Sequence, residues 1–238
     1  MRCRLFCAAV LRRVSSMRIA APSFIKRADR ITNVRFLQEF VDEVELLYMS
    51  SLYEGDEPDP AEVAELAATG MRFNVHMPYD IDLSKKENWA VIERYAELLL
   101  PLEAHTHTLH IQKEDSFFEH LINFIAKTDL PVTLENGGDD ANLFGLIPNE
   151  PVWICADLGH VLHYGGTVED IIRHWGRDIG LIHLHGSDGM RDHQSLKYID
   201  KNTLRLIKNF AELQELTVCV EVFEENAFLE SLDILLSL

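Results

Sequence analysis

The sequence predicts a single-domain α/β protein, a TIM (β/α)8 barrel. Three observations carry that expectation. Eight short apolar or β-branched runs recur along the chain, and their starts are roughly 20 to 40 residues apart, the span of one βα unit. The 238 residues fall close to the roughly 250 of a barrel of this kind. No Gly-x-Gly-x-x-Gly follows the first run or any other, which argues against an open dinucleotide-binding sheet.

The strands are expected at Arg18–Pro22, Val44–Tyr48, Arg72–Met77, His107–Gln112, Val132–Asn136, Val152–Asp157, Ile179–His185 and Thr217–Val222. Helical patterns fill the intervals. Ile31–Phe40 repeats apolar residues at helical spacing. Pro60–Ala68 opens with Asp59 as N-cap and proline in the first turn. Lys85–Leu100 follows Ser84, with Glu87 three residues on, the spacing of a capping box. Phe117–Lys127, Thr167–Trp175, Thr203–Leu213 and Phe228–Leu236 continue the series, and Ala141–Ile147 is a short, weak fifth helix. Residues 1–16 differ in being basic, and they read as an extension or a mis-assigned start before a barrel of residues 17–238 that opens at Met17.

The composition narrows the function. There are 39 acids against 22 bases, a formal charge of −17, and this balance repels polyanions. Nucleic acid is therefore not an expected partner. No apolar run is long enough to span a membrane, so no membrane partner is expected either. The four cysteines form no Cys-x-x-Cys pair, and reduced thiols in a cytoplasmic setting fit best.

Barrel strands should be apolar, yet six of these runs carry metal-ligand residue types at their C-terminal ends. They are His76, His110, Glu135, Asp157 with His160, His183 with His185, and Glu221. All eight strands of such a barrel end at one rim, where its chemistry is done. A buried, unpaired glutamate is costly, so Glu135 and Glu221 call for nearby cations. With His193 in the loop after the seventh strand, the donors exceed one ion's shell. They imply two or three divalent ions, zinc or manganese. Clustered ions suit phosphoryl transfer. His105 and His107 are expected at the far rim or in solvent. His185 is expected to touch metal or substrate.

The pieces VHMPYD, TLHIQ, LENGG, ADLGH, HLHG and VEVF, in that order, resemble the xylose isomerase-like, endonuclease IV-like barrel superfamily. Within it, the stretch from Met17 onward, and Asp192-His193-Gln194-Ser195-Leu196 above all, resembles the cobamide-remodelling phosphodiesterases. That resemblance implies metal-dependent hydrolysis of the nucleotide loop of adenosylated cobamides such as pseudocobalamin, giving cobinamide phosphate. The partner would be a corrinoid small molecule. It implies that Glu135 bridges ions, that Asp157, His160, His183 and Glu221 complete the inner set, and that His76, His110 and His193 hold outer ions and orient the phosphate. Glu135, Glu221 and His193 would be the catalytic residues. The endonucleases place Asp-x-His after the seventh strand. Aligned on His193, that Asp falls on Arg191: either Asp192 substitutes for it from the adjacent position or the third ion is held differently or absent, and Arg191 either meets the substrate phosphate, with Asp192 and His185 beside it, or is an exposed loop arginine. The alternative within the superfamily is a single-metal sugar isomerase or epimerase, using Glu135, Asp157, His183 and Glu221. A non-catalytic corrinoid-binding barrel is a third reading.

Overall fold

The computed structural model describes residues 16–53, 56–138, 141–147 and 152–238. Eight parallel strands close into a barrel in chain order. They are β1 (Arg18–Pro22), β2 (Glu43–Leu47), β3 (Arg72–His76), β4 (His107–His110), β5 (Val132–Glu135), β6 (Val152–Asp157), β7 (Ile179–Leu184) and β8 (Thr217–Val220). Strand β8 pairs with β1, Arg18 opposite Thr217, and closes the ring. The outer layer is α1 (Arg30–Leu37), α2 (Pro60–Ala68), α3 (Trp89–Leu99), α4 (Asp115–Thr128), α5 (Leu158–His163), α6 (Val168–Trp175), α7 (Lys201–Leu213) and α8 (Glu225–Leu236). Between β5 and β6 the described residues form only a 3-10 turn, Ala141–Leu146. No helix among the described residues is long and apolar enough to cross a membrane. The expected extension, residues 1–16, lies outside the described residues except for Ser16.

The helices form where the sequence gives them a start and an apolar stripe. Asp59 caps α2 by accepting from the amides of Ala61 and Glu62. Asp200 does the same for α7 through Asn202 and Thr203. Helix α4 buries Phe117, Leu121, Phe124 and Ile125 on one face, and each such side chain contributes about 1.5–3 kcal/mol when withdrawn from water. Two local expectations are corrected. The capping box at Ser84 and Glu87 does not form: Ser84 Oγ donates to Asp82, and a 3-10 turn (Lys86–Asn88) precedes α3 instead. Helix α5 was not foreseen. It starts directly from the β6 tip, because Asp157 caps it by accepting from the His160 amide.

Strand β2 starts at Glu43, one residue before the expected Val44. Glu43 and Glu45, two apart, both point into the barrel. At the N-terminal end Glu43 Oε1 accepts from Asn74 Nδ2 at 2.5 Å and lies 2.9 Å from His105 Nδ1, while its Oε2 accepts from Arg72 Nε at 3.0 Å. His105 therefore serves a buried ion cluster. His107 is also not in solvent: it is buried at the start of β4, near Pro131 O.

Burial lowers the His107 pKa to about 4. The unfolded chain, with its ordinary value near 6.5, takes up the proton first as pH falls. His107 therefore favours the folded state fully above pH 6.5 and loses that contribution on the way down to about 4. By pH 5 the loss is on the order of 2 kcal/mol. Urea unfolding between pH 8 and 5 should show a shallower fall in stability for His107→Gln than for the natural chain; parallel curves would refute this.

Candidate metal centre

The polar residues of the barrel interior recur at alternate strand positions, the period that aims side chains to one face. Glu43 and Glu45, Asn74 and His76, Thr108 and His110, Thr133 and Glu135, and Cys155 and Asp157 are such pairs, and Thr217, Cys219 and Glu221 continue the pattern along β8. The column begins in the Glu43 cluster and ends at the C-terminal rim. Register aligns the upper donors, with His110 opposite Glu135 and Asp157 opposite His183.

Glu135 lies at the centre of the rim and is buried. Its Oε2 is 3.0 Å from His76 Nε2 and 3.6 Å from His110 Nε2. Its Oε1 is 3.2 Å from His183 Nδ1, which is itself 3.4 Å from Glu221 Oε2. The two oxygens of one carboxylate thus serve two donor groups. Among the described residues four groups have ligand atoms within 4.8 Å of one another: His76, His110 and Glu135; Glu135, Asp157, His183 and Glu221; His160, His185 and His193; and Glu135, Cys155 and His183. All eight metal-ligand residues expected from the sequence fall into these groups, and His185 joins them.

The donor chemistry fits divalent cations, and so does the disposition of the orphaned atoms. Asp157 Oδ2, His160 Nδ1, His185 Nε2 and Glu221 Oε2 are buried without an aligned hydrogen bond. Asp157 Oδ2 and His160 Nδ1 are only 2.7 Å apart, and His185 Nε2 is 3.3 Å from Asp157 Oδ1. Proximity without alignment is what a shared cation relieves. Hydrogen-bond geometry is the better guide here, because an ion pair alone leaves these lone pairs unused.

Protonation compensates the same charges. Burial disfavours the His76 cation, yet the hydrogen bond and charge of Glu135 raise its pKa to about 9. Burial opposes charging His160 as well, and Asp157 raises it to about 9. Burial raises the pKa of Glu135, but His183 and His110 pull it well below the carboxylate range. His110 is lowered, chiefly by burial. Metal binding would displace these protons.

Glu45, which the sequence reading missed, joins the site. It is fully buried, its Oε1 is 2.9 Å from His183 Nε2, and its Oε2 accepts from Cys219 Sγ at 3.3 Å. With Nε2–H donated to Glu45, His183 presents its Nδ1 lone pair to Glu135 and Glu221, the carboxylate–histidine arrangement that orients metal ligands. The signal available was the alternation of Glu43, Val44, Glu45 and Leu46 in a strand buried on both faces, where acids are out of place.

The loop after β7 supplies the third group. Gly186 and Gln194 exchange backbone hydrogen bonds at 2.7 and 2.9 Å, and a Cβ on Gly186 would collide with Ser195 O. Leu196 N donates to Ser231 Oγ on α8. This clamp, built from the Gln194-Ser195-Leu196 stretch, holds His193 at φ 50°, a left-handed conformation unusual for histidine. The His193 amide donates to His185 Nδ1 at 3.0 Å. Asp192 Oδ2 is 3.4 Å from His160 Nε2, so a carboxylate does reach this group. Arg191 is exposed and forms an ion pair with Asp188 at 2.9 Å, within its own loop.

No protein-family model and no curated protein matches the sequence. Solved structures do match the fold. A D-tagatose 3-epimerase-like protein superposes with a TM-score of 0.75 at 16% identity, over 92% of this chain and 96% of the other. A xylose isomerase domain protein from Alicyclobacillus acidocaldarius gives 0.66 at 14%, over 93% and 99%. The 3-keto-D-glucoside 4-epimerase of E. coli gives 0.65 at 16%, over 92% and 97%. The closed eight-stranded barrel is the fold shared with these proteins. At these identities the likeness speaks for the fold alone.

Two substitutions test the geometry. Glu45→Gln, which removes the acceptor charge behind His183, should weaken metal binding roughly 10- to 100-fold in competition with a chelator; unchanged affinity would mean that His183 is oriented without it. A Cβ on Gly159 would meet the His185 imidazole, so Gly159→Ala should lower the number of ions bound per chain in elemental analysis while the barrel's circular dichroism stays the same.

Proposed function

We propose that the chain is a metal-dependent phosphodiesterase acting on the nucleotide loop of cobamides. The observation that carries this reading is the two-sided environment of Glu135, with a second donor group on each flank. A single-ion site needs only Glu135, Asp157, His183 and Glu221. It leaves His76 and His110 on one side, and His160, His185 and His193 on the other, without a purpose that would offset the cost of burying His76, His160 and His185 and half-burying His110 and His193.

Divalent ions bound there would withdraw charge from a phosphate and make water a better nucleophile. The chain's own residues then have distinct parts. Glu135 joins the central group to the His76 and His110 side. Glu221 faces both His183 and His193, whose Nδ1 atoms are 3.4 and 3.8 Å from its Oε2. His160, held by Asp157, keeps its Nε2 toward Asp192 at the open side of the rim, where an entering phosphate would meet it. The corrinoid assignment rests on the sequence resemblance through Asp192-His193-Gln194-Ser195-Leu196. Arg191 would meet substrate only by leaving Asp188.

A second reading has support of its own. The four residues Glu135, Asp157, His183 and Glu221 are by themselves a complete single-ion set, and two of the structural neighbours are named as epimerases or epimerase-like. Glu135 and Glu221 would then move a proton beside a carbonyl.

Metal-loaded protein incubated with adenosylpseudocobalamin should release cobinamide phosphate, resolved by chromatography of the corrinoids. Glu135→Gln should lose turnover by about a thousandfold or more, as expected for removal of a central electrostatic group. Two or three ions per chain are expected in elemental analysis; one ion and intact corrinoid would favour the epimerase.

A further inference from the structure

A second concavity opens on the same rim, at the ends of β1, β2 and β8. It encloses about 640 Å³ and is bounded by Phe24, Met49, Tyr53 and Phe223 over a floor that includes Leu47. That volume falls in the range of small-molecule sites. Leu47 stands two positions beyond Glu45 on β2, so the floor is the top of the barrel interior. Phe223 links the cavity to the metal centre, because its ring is 4.8 Å from the ring of His193. A molecule held at the third donor group can therefore extend into the cavity without leaving the rim.

The walls are preformed. Asn33, fully buried, accepts from the Ile25 and Lys26 amides at 3.0 and 2.7 Å and donates to the carbonyls of Lys26, Ala28 and Asp29. It fixes the β1–α1 loop that carries Phe24. Phe24 and Tyr53 nevertheless leave much of their rings in solvent, at 52% and 71% exposure. Such exposure at the mouth of a fixed cavity provides surfaces for stacking.

The charged groups of the lining define what can enter. Asp29, Asp56 and Glu62 oppose the single cation Arg30. The Arg30 guanidinium is engaged on all three nitrogens: Nε donates to Leu47 O at 3.0 Å, Nη1 to Glu62 at 3.3 Å and Nη2 to Asp56, and its Cζ lies 4.1 Å from the Tyr48 ring centroid. Among the described lining residues no cation is left for an anion, and the excess carboxylates repel one.

We propose that this cavity is the subsite for an uncharged or cationic heteroaromatic ring belonging to the substrate whose phosphodiester sits at the metal centre. The proposal rests on the phosphodiesterase reading, and it assigns Phe24, Met49, Tyr53 and Phe223 to selecting the base rather than to the chemistry. Flat rings stack on the exposed aromatics, Met49 adapts to ring shape, and anionic rings are rejected.

The test uses benzimidazole riboside as probe, titrated calorimetrically into the metal-loaded full chain. The natural protein is expected to bind it, and a ring carboxylate on the probe should weaken binding by about tenfold or more. Met49→Trp, which fills the cavity, and Tyr53→Ala, a surface change that spares the core, should each weaken it by about the same factor. Thermal unfolding checks that both variants are folded. No binding to the natural chain, or equal binding by both variants, overturns the proposal. Cobamide hydrolysis with a KM unchanged in both variants also overturns it while leaving the phosphodiesterase intact. Probe binding lost in the variants, together with no hydrolysis of any cobamide by the natural chain, supports the cavity as a ring site and sinks the phosphodiesterase reading alone.

Discussion

The upper half of the barrel is governed by one constraint: four carboxylates, Glu45, Glu135, Asp157 and Glu221, are buried within a few ångströms of shared histidines. Unpaired, any one of them would be expelled from so dry a site or would take up a proton. Imidazoles therefore surround them, and protonation of His76, His160, His183 and His185 is favoured by the same acids. Divalent cations bound there would replace those protons and supply more positive charge in the same space. Buried ion clusters of this kind are weak sources of stability; in the lower layer Glu43 is held by Arg72, Asn74 and His105. Buried atoms without an aligned partner occur at both ends of the polar column: Asn74 Oδ1 and His105 Nε2 beside Glu43, and atoms of Asp157, His160, His185 and Glu221 at the C-terminal rim.

The rim is organised by supports that have no chemistry of their own. Glu45 fixes the ring nitrogen that His183 shows to the centre. Asp157 both faces His185 and starts α5, which brings His160 back to it after one turn. Gly186, Gln194 and Leu196 fold the β7 loop onto α8 and hold His193 in its left-handed conformation. Each support accepts a local cost, a buried acid or a strained residue, in exchange for a fixed donor. That pattern is expected where function sets the geometry.

Much of this was legible in the sequence. The repeating βα pattern gave the barrel, and β1 and β6 have the expected boundaries. The eight expected metal-ligand residues converge because parallel strands in a closed barrel must end at one rim. Glu45 was passed over because it lies below the strand tip, where charge is not sought. His107 was expected at the far rim or in solvent; it does start β4, and its burial was not foreseen because a histidine at a strand start carries no mark of its depth. The role of the Gln194-Ser195-Leu196 stretch in clamping a loop was likewise invisible, since its partners, Gly186 and Ser231, lie elsewhere in the chain.

The sequence by itself determined which donors exist and which strand delivers each, because side-chain period and strand order are local properties. Only the tertiary structure decided that Glu135 is shared between the donors on the His76 side and those on the His183 side, that His185 stands with His160 and His193, and that an aromatic cavity adjoins them through Phe223. Those are distances between residues far apart in the chain. They are set by barrel closure, strand register and loop packing together, and no local pattern encodes them.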